Sequence, residues 1–309
     1  MEMKKKINRP RVSTLPLHLM LLPGVVVVFI YSYLPMVGVF MAFQKYDFTK
    51  GVRAMWESPW VGLDNYRRLL LTGEFVRVVG NTVTISALKI VIGFAAPILV
   101  SLMLNEVTKS FFKRGIQTII YIPHFISWVI FASIIRQIIS VDGFVNTQIF
   151  SLFNLTPVNF LADNRYFVPM LVATDIWKNF GYGTIVYLAA ITSIDPTLYE
   201  AAVMDGASRL RQTWHVTLPG MRPIIVLTMV LTLQNVLNAG FDQIFNLYNA
   251  QVYETADIID TWVYRMSFGT ATPQYSLGMA IGLFKSAVSV FFISMSYWLA
   301  YKVARYQIF

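Results

Sequence analysis

The chain has 309 residues, 56% of them hydrophobic and only 13% charged, about half the charged share of an ordinary soluble domain. With a mean hydropathy of +0.57 and 23 Phe, 16 Tyr and 7 Trp spread along its length, it is neither a soluble enzyme nor a disordered chain, which leaves a membrane protein. Zero Cys removes disulfides, thiolate metal sites, iron–sulfur clusters and Cys nucleophiles together, and a net charge of +9 in such a chain sets orientation, so no nucleic-acid partner is expected.

A spanning helix needs about 20 mostly apolar residues. Six runs qualify, at 17–43, 81–104, 116–139, 167–191, 223–245 and 276–301, so the expected fold is all-α and integral to the membrane, with six transmembrane helices. Lys4, Lys5, Lys6, Arg9 and Arg11 precede the first run, but no small-x-small cleavage site follows it, so it reads as an uncleaved span rather than a signal peptide. The expected organisation is a basic tail at 1–16, a first helix at 17–43 and an outer loop at 44–80. A core of five helices at 81–301 follows, with a cytoplasmic loop at 192–222 and a C-terminus at 302–309. In this arrangement 13 Lys and Arg lie on the inner side and 8 on the outer, which puts both termini in the cytoplasm.

No outer loop exceeds about 40 residues, too few for an independent extracellular domain. In the third outer loop Ile258, Ile259, Trp262 and Val263 alternate with Asp257, Asp260 and Arg265. That helical amphipathic pattern is expected to lie flat at the outer interface or to cap the spans.

Charges inside spans are costly and functional by default. Arg136 and Asp242 fall near the outer ends of spans 3 and 5, where a long side chain snorkels and a carboxylate is wet. Asp175 and Lys178, three apart on one face of span 4, are expected to pair or to line a cavity. Lys285, near the middle of span 6, needs a water-filled cavity or a partner, as does Lys89 in span 2. Pro123-His124 reads as a helix irregularity, and Gly278-x-x-x-Gly282 as a packing motif of low specificity. Three scattered His make a metal site unexpected, and Asn154-Leu-Thr156 matches a glycosylation acceptor by chance.

The inner loop after span 4 carries the most information. Asp195 is a good N-cap, Pro196 fits the first helical position, and Gly206 stops the helix. Its small-residue face, Ala201, Ala202 and Gly206, would be exposed alone and suits another protein's groove. Glu200-Ala201-Ala202, three residues, Gly206, nine residues, then Val216-x-Leu218-Pro219 resembles the EAA signature of permease subunits of binding-protein-dependent ABC importers. The only departure is Val where Ile is usual. Val61-Gly-Leu-Asp-Asn-Tyr66, Tyr187-Leu-Ala-Ala190, Leu198 to Ala207 and Gly282-Leu-Phe-Lys-Ser286 resemble the carbohydrate-uptake branch and its polysaccharide or lipoprotein-linked sugar subgroup, over nearly the whole chain.

The resemblance implies the type I ABC importer permease fold in a bacterial cell membrane, and a non-enzymatic subunit forming half of a pathway. Its implied partners are a second, non-identical permease, two cytoplasmic ATPase subunits, an extracellular sugar-binding protein and a carbohydrate. It also implies that Glu200, Ala201, Ala202, Asp205, Gly206, Ala207, Leu218 and Pro219 couple the chain to the ATPase. The chain has no Gly-x4-Gly-Lys-Ser/Thr, so ATP and Mg are expected on the partner and no cofactor here. A sugar needs flat apolar faces edged with hydrogen-bonding groups. Trp177, Lys178, Tyr182, Asn235, Asn238, Asp242, Gln243 and Lys285 are the residues to examine for that role. The alternatives are a self-sufficient secondary carrier or channel and, lacking any catalytic constellation, more remotely an intramembrane enzyme.

Overall fold

The computed structural model describes residues 14–304; the cations Lys4 to Arg11 and Arg305, on which part of the orientation reading rests, lie outside the described residues. Helices and their connections make up the described chain, apart from one isolated antiparallel bridge between Gln44 and Trp60. The principal helices are α1 (Leu15–Phe43), α2 (Asp64–Leu71), α3 (Gly73–Glu106), α4 (Ser110–Phe125), α5 (Trp128–Ile139) and α6 (Asn164–Thr192). They continue with α7 (Pro196–Met204), α8 (Arg209–Leu233), α9 (Phe241–Leu247), α10 (Ile259–Phe268) and α11 (Tyr275–Ala304).

Helices α1, α3, α8 and α11 are long and apolar enough to cross a membrane, and α4 with α5 qualifies if the bent pair is one span. Helix α6 is as long, at 29 residues, or about 43 Å at 1.5 Å per residue, but Asp175 and Lys178 dilute its apolar character. Most of the large apolar side chains of α1 are exposed, and Leu15–Val28 buries none. In a lipid solvent an apolar surface needs no protein cover.

Two spans depart from the expected continuous helices. The run 116–139 is broken at Ile126 and Ser127, and its halves meet at 106°. Pro123 supplies no N–H near the end of α4, while Ser127 caps α5 by accepting from the Ile130 N–H at 3.4 Å. The irregularity expected at Pro123-His124 is thus a full interruption. The run 223–245 begins earlier, at Arg209, and ends at Leu233. Turns carry the chain over residues 234–239, Gly240 takes φ +90°, and α9 starts anew. The left-handed φ at Gly240 is open to glycine at little steric cost. The helix α3 also starts at Gly73, inside the expected outer loop, and α8 starts inside the expected cytoplasmic loop.

Three apolar clusters hold the bundle. One joins Ile85 of α3, Phe131 of α5, Phe167 and Leu171 of α6, and Ile244 of α9. A second joins Phe75 and Val78 of α3, Trp262 of α10 and Ile281 of α11. A third joins Tyr187 and Ile191 of α6 to Met221 of α8. At Gly181 the backbones of α4 and α6 touch, since an added Cβ would sit 2.0 Å from the Ile120 carbonyl oxygen. Of the Gly278/Gly282 pair, Gly278 alone packs closely, its added Cβ meeting Ser267 Oγ at 2.6 Å, while Gly282 has open space.

The segment expected as the third outer loop caps the bundle and does not lie flat with a wet polar face. Ile258, Ile259 and Trp262 are buried, and so are Asp257 and Thr261. Arg265 grips Asp257 with two hydrogen bonds, at 2.6 and 3.1 Å, and Thr261 Oγ1 donates a third at 2.8 Å. Asp260 takes Lys285 of α11 on both carboxylate oxygens, at 2.6 and 2.7 Å. The polar face of α10 is spent on ion pairs that tie this cap to the spans.

Candidate functional site

The inner loop folds as its residues dictate. Asp195 accepts from the Thr197 N–H at 2.9 Å and Pro196 opens α7, so neither costs an unmet donor. That backbone hydrogen bond holds the Asp195 carboxyl below the usual carboxylate range. At the other end the Gly206 N–H donates to the Val203 carbonyl at 3.0 Å and the Ala207 N–H to that of Ala202 at 2.8 Å. This double closure around a left-handed Gly206, at φ +70°, is a Schellman motif. It satisfies the last carbonyls of a nine-residue helix that has no buried residue to hold it.

Two contacts fix α7 and its C-terminal closure to α8, and a third ties α8 to α3. Tyr199 Oη lies 3.0 Å from Thr217 Oγ1 of α8. Gln212 Nε2 donates to the Ala207 carbonyl at 2.9 Å. Arg209, at the start of α8, pairs with Glu106, at the end of α3, at 3.1 Å. Before Pro219, whose missing N–H and ring disturb the turn that precedes it, Thr213–Thr217 winds as a π-helix. Leu218 is half-buried and Pro219 exposed. The face left outward carries Glu200, Ala201, Asp205 and Gly206, with Leu198, Val203 and Met204 beside them, while Ala202 and Ala207 are half-buried. Behind it, Ala202, Asp205, Ala207, Arg211, Gln212 and His215 border a cleft of about 260 Å³.

The bundle interior is polar where the two interrupted spans meet α3 and α6. Lys178 does not pair with Asp175 as expected. Its Nζ turns to the open end of α4 and donates to the carbonyls of Pro123, His124 and Ile126, over the rings of Trp128 and Phe131 at 5.4 and 5.7 Å. All three donors of the ammonium are used on carbonyls that the break leaves without helical partners. Asp175 faces Lys89 of α3 instead, at 3.7 Å, and accepts from Asn179 Nδ2 at 3.4 Å. Asn179 Oδ1 lies 3.2 Å from His124 Nδ1, whose ring stacks on Tyr182 at 4.0 Å, 4° from parallel.

Asp175 and Asn179 open on a cavity of about 240 Å³ between α3, α6 and α8, with Phe94, Phe180, Tyr187 and Thr232 among its walls. Trp177 and Tyr182 are exposed on α6, Asn235 and Asn238 on the turns, and Asp242 on α9. Gln243 is fully buried, donating to the Leu171 carbonyl and to Thr174 Oγ1, both at 2.8 Å. Lys285 is held by Asp260 in the cap formed by α10, at 2.6 Å. Arg136 donates to the Asn246 carbonyl, at the exposed rim. Asp175, Asn179 and Tyr182 were absent as a set from the sequence reading. Their i, i+4, i+7 spacing on one face of α6 is the signal that identifies them.

The chain is similar along nearly all its length to transport proteins. A curated relative, Protein LplB of Bacillus subtilis (strain 168), is 42% identical over 294 residues, covering 95% of this chain and 91% of that one. The polygalacturonan/rhamnogalacturonan transport system permease protein YteP of the same organism is 40% identical over 308 residues, covering 100% and 94%. A crystal structure of a bacterial alginate ABC transporter in complex with alginate pentasaccharide-bound periplasmic protein contains a chain of 35% identity that superposes with a TM-score of 0.85, with 96% and 97% covered. That is the type I permease fold expected from the signature; of the six expected spans, four described helices, or five with the bent pair, are long and apolar enough to cross a membrane. The model of the family described as "Binding-protein-dependent transport system inner membrane component" matches residues 89–305, the stretch that holds α7 and the polar interior, and the chain belongs to that family.

Proposed function

We propose that this chain is one of two non-identical membrane subunits of an ATP-driven importer of oligosaccharides, with uronate-containing fragments as the first class to test. The observation that carries the reading is α7: a small-faced helix, closed at both ends, tied to α8, and bare on its outward side. A surface so built has no purpose in an isolated bundle and suits a cleft on a cytoplasmic ATPase, with Glu200 meeting a basic or polar group and Ala201 and Ala202 fitting the wall. ATP and Mg then belong to that partner. Closure of two ATPase subunits moves α7, the Tyr199–Thr217 contact carries the movement into α8, and the Arg209–Glu106 pair passes it from α8 to α3.

In this reading the inner loop, and with it both termini, is cytoplasmic, and an external binding protein delivers the sugar to the capped side. Trp177, Tyr182, Asn235, Asn238 and Asp242 provide the aromatic faces and hydrogen-bonding edges that a pyranose requires. Lys178, Gln243 and Lys285 act behind that wall, since their polar atoms are already taken. The sugar class is supported by relatives named for polygalacturonan and alginate, both polymers of uronic acids.

Deleting the gene in its native host and measuring uptake of labelled oligogalacturonides, alginate oligosaccharides and maltodextrins tests the proposal. Uptake of at least one of the three should fall tenfold or more and return with the wild-type gene. Unchanged uptake of all three would contradict it.

A further inference from the structure

Lys89 lies midway along α3 and is buried to nine-tenths, yet it makes contacts on three elements. Its Nζ donates to the Ala239 carbonyl at 2.7 Å and to Gln243 Oε1, and stands 3.7 Å from Asp175 Oδ1. Gln243 passes the link on to α6 through its two donor bonds to Leu171 and Thr174. The Ala239 carbonyl is free to accept because the helix is interrupted there. Gly240 completes the fit: an added Cβ would sit 3.0 Å from Lys89 Nζ. A cation inside a membrane bundle persists only when its donors are met, and here they are met by the interruption itself.

We infer that Lys89 is a positioning residue for transport: it pins the break between α8 and α9 to α3 and α6 in one geometry. That break carries Asn235 and Asn238, and the same ammonium sets the direction of the Asp175 carboxylate in the cavity wall. Without it the turns over residues 234–239 lose their only tie from a charged group among the described residues, and Asp175 loses its ion-pair partner at the cavity wall. The inference rests on the importer reading for its consequence in transport, but not for its geometry.

Because the chain has no Cys, a spin-label pair can be placed without background from this chain, and the complex without the two introduced cysteines serves as the control for labelling of its partners. Cysteines at Val91 and Asn238, both exposed, are labelled in the complex purified through a tag on this chain, and their distance distribution is measured by electron paramagnetic resonance. The wild-type geometry should give one narrow population. Lys89→Met and Gln243→Met should each broaden it, and the double variant should broaden it by less than the sum of the two, since both remove the Lys89–Gln243 contact. The same variants should raise binding-protein-independent ATP hydrolysis at least threefold. An unchanged distribution in Lys89→Met, or broadening that adds in the double variant, overturns the inference. The distance measurement needs neither sugar nor ATP, so its outcome stands apart from whether the complex imports oligosaccharides.

Discussion

Glu200→Lys and Gly206→Asp are each expected to cut ATP-driven uptake at least tenfold while this chain reaches the membrane at its ordinary level. Glu200 is exposed, so reversing its charge removes nothing from the core. Against a cationic or polar partner surface, a like charge costs several kcal/mol, and about 1.4 kcal/mol already corresponds to a factor of ten. Gly206 has φ +70° and open space where a Cβ would stand. Aspartate there adds a left-handed strain of roughly 1–2 kcal/mol, local to a nine-residue surface helix, plus a charge on the docking face. Immunoblots of membranes and co-purification of the ATPase separate the two effects: the chain should be present, and the ATPase should be lost from it. Normal uptake with either variant would remove the lever from the account.

A second large effect is expected at the outer cap. The Asp257 side chain is fully buried, and among the described residues Arg265 is its one cationic partner at hydrogen-bond distance. Arg265→Met leaves an uncompensated carboxylate in the interior, a change that costs about 3–5 kcal/mol, comparable to the net stability of a whole domain, about 5–15 kcal/mol. Thermal unfolding of the detergent-purified complex should therefore begin many degrees lower, or the chain should fail to accumulate. Arg265→Lys should fall between, since an ammonium cannot reproduce the two-pronged grip. Pairing Arg265→Met with Asp257→Asn should recover part of the loss by removing the buried charge. Wild-type melting of Arg265→Met would show that the cap is held by its apolar contacts alone.

Apolar length made the spans legible from sequence, because a membrane helix announces itself by about 20 uncharged residues whatever its neighbours do. The coupling helix was legible for a local reason: Asp195, Pro196 and Gly206 each dictate backbone geometry at their own position. The breaks in spans 3 and 5 were not, because Ile126 and Ser127 sit in an apolar run, and what stabilises the opening there is Lys178, more than fifty residues away. The same distance hid the partner of Asp175. Spacing alone favours Lys178, three residues on, but Lys178 is claimed by carbonyls that no sequence pattern exposes, and Lys89 takes its place. The amphipathic cap was legible as a helix but not as a buried one, since Asp257 and Asp260 read as solvated until Arg265 and Lys285 close on them.

The central claim is that this chain is one half of an unlike pair driven by ATP. The most direct measurement reconstitutes it in liposomes with its ATPase and external binding protein, with and without the second permease, and follows labelled oligosaccharide. The account predicts ATP-dependent uptake only when the second permease is present, because a single bundle with one face of Trp177, Tyr182, Asn235 and Asn238 walls a pathway on one side. Robust, substrate-stimulated uptake by this chain with the ATPase alone would contradict it.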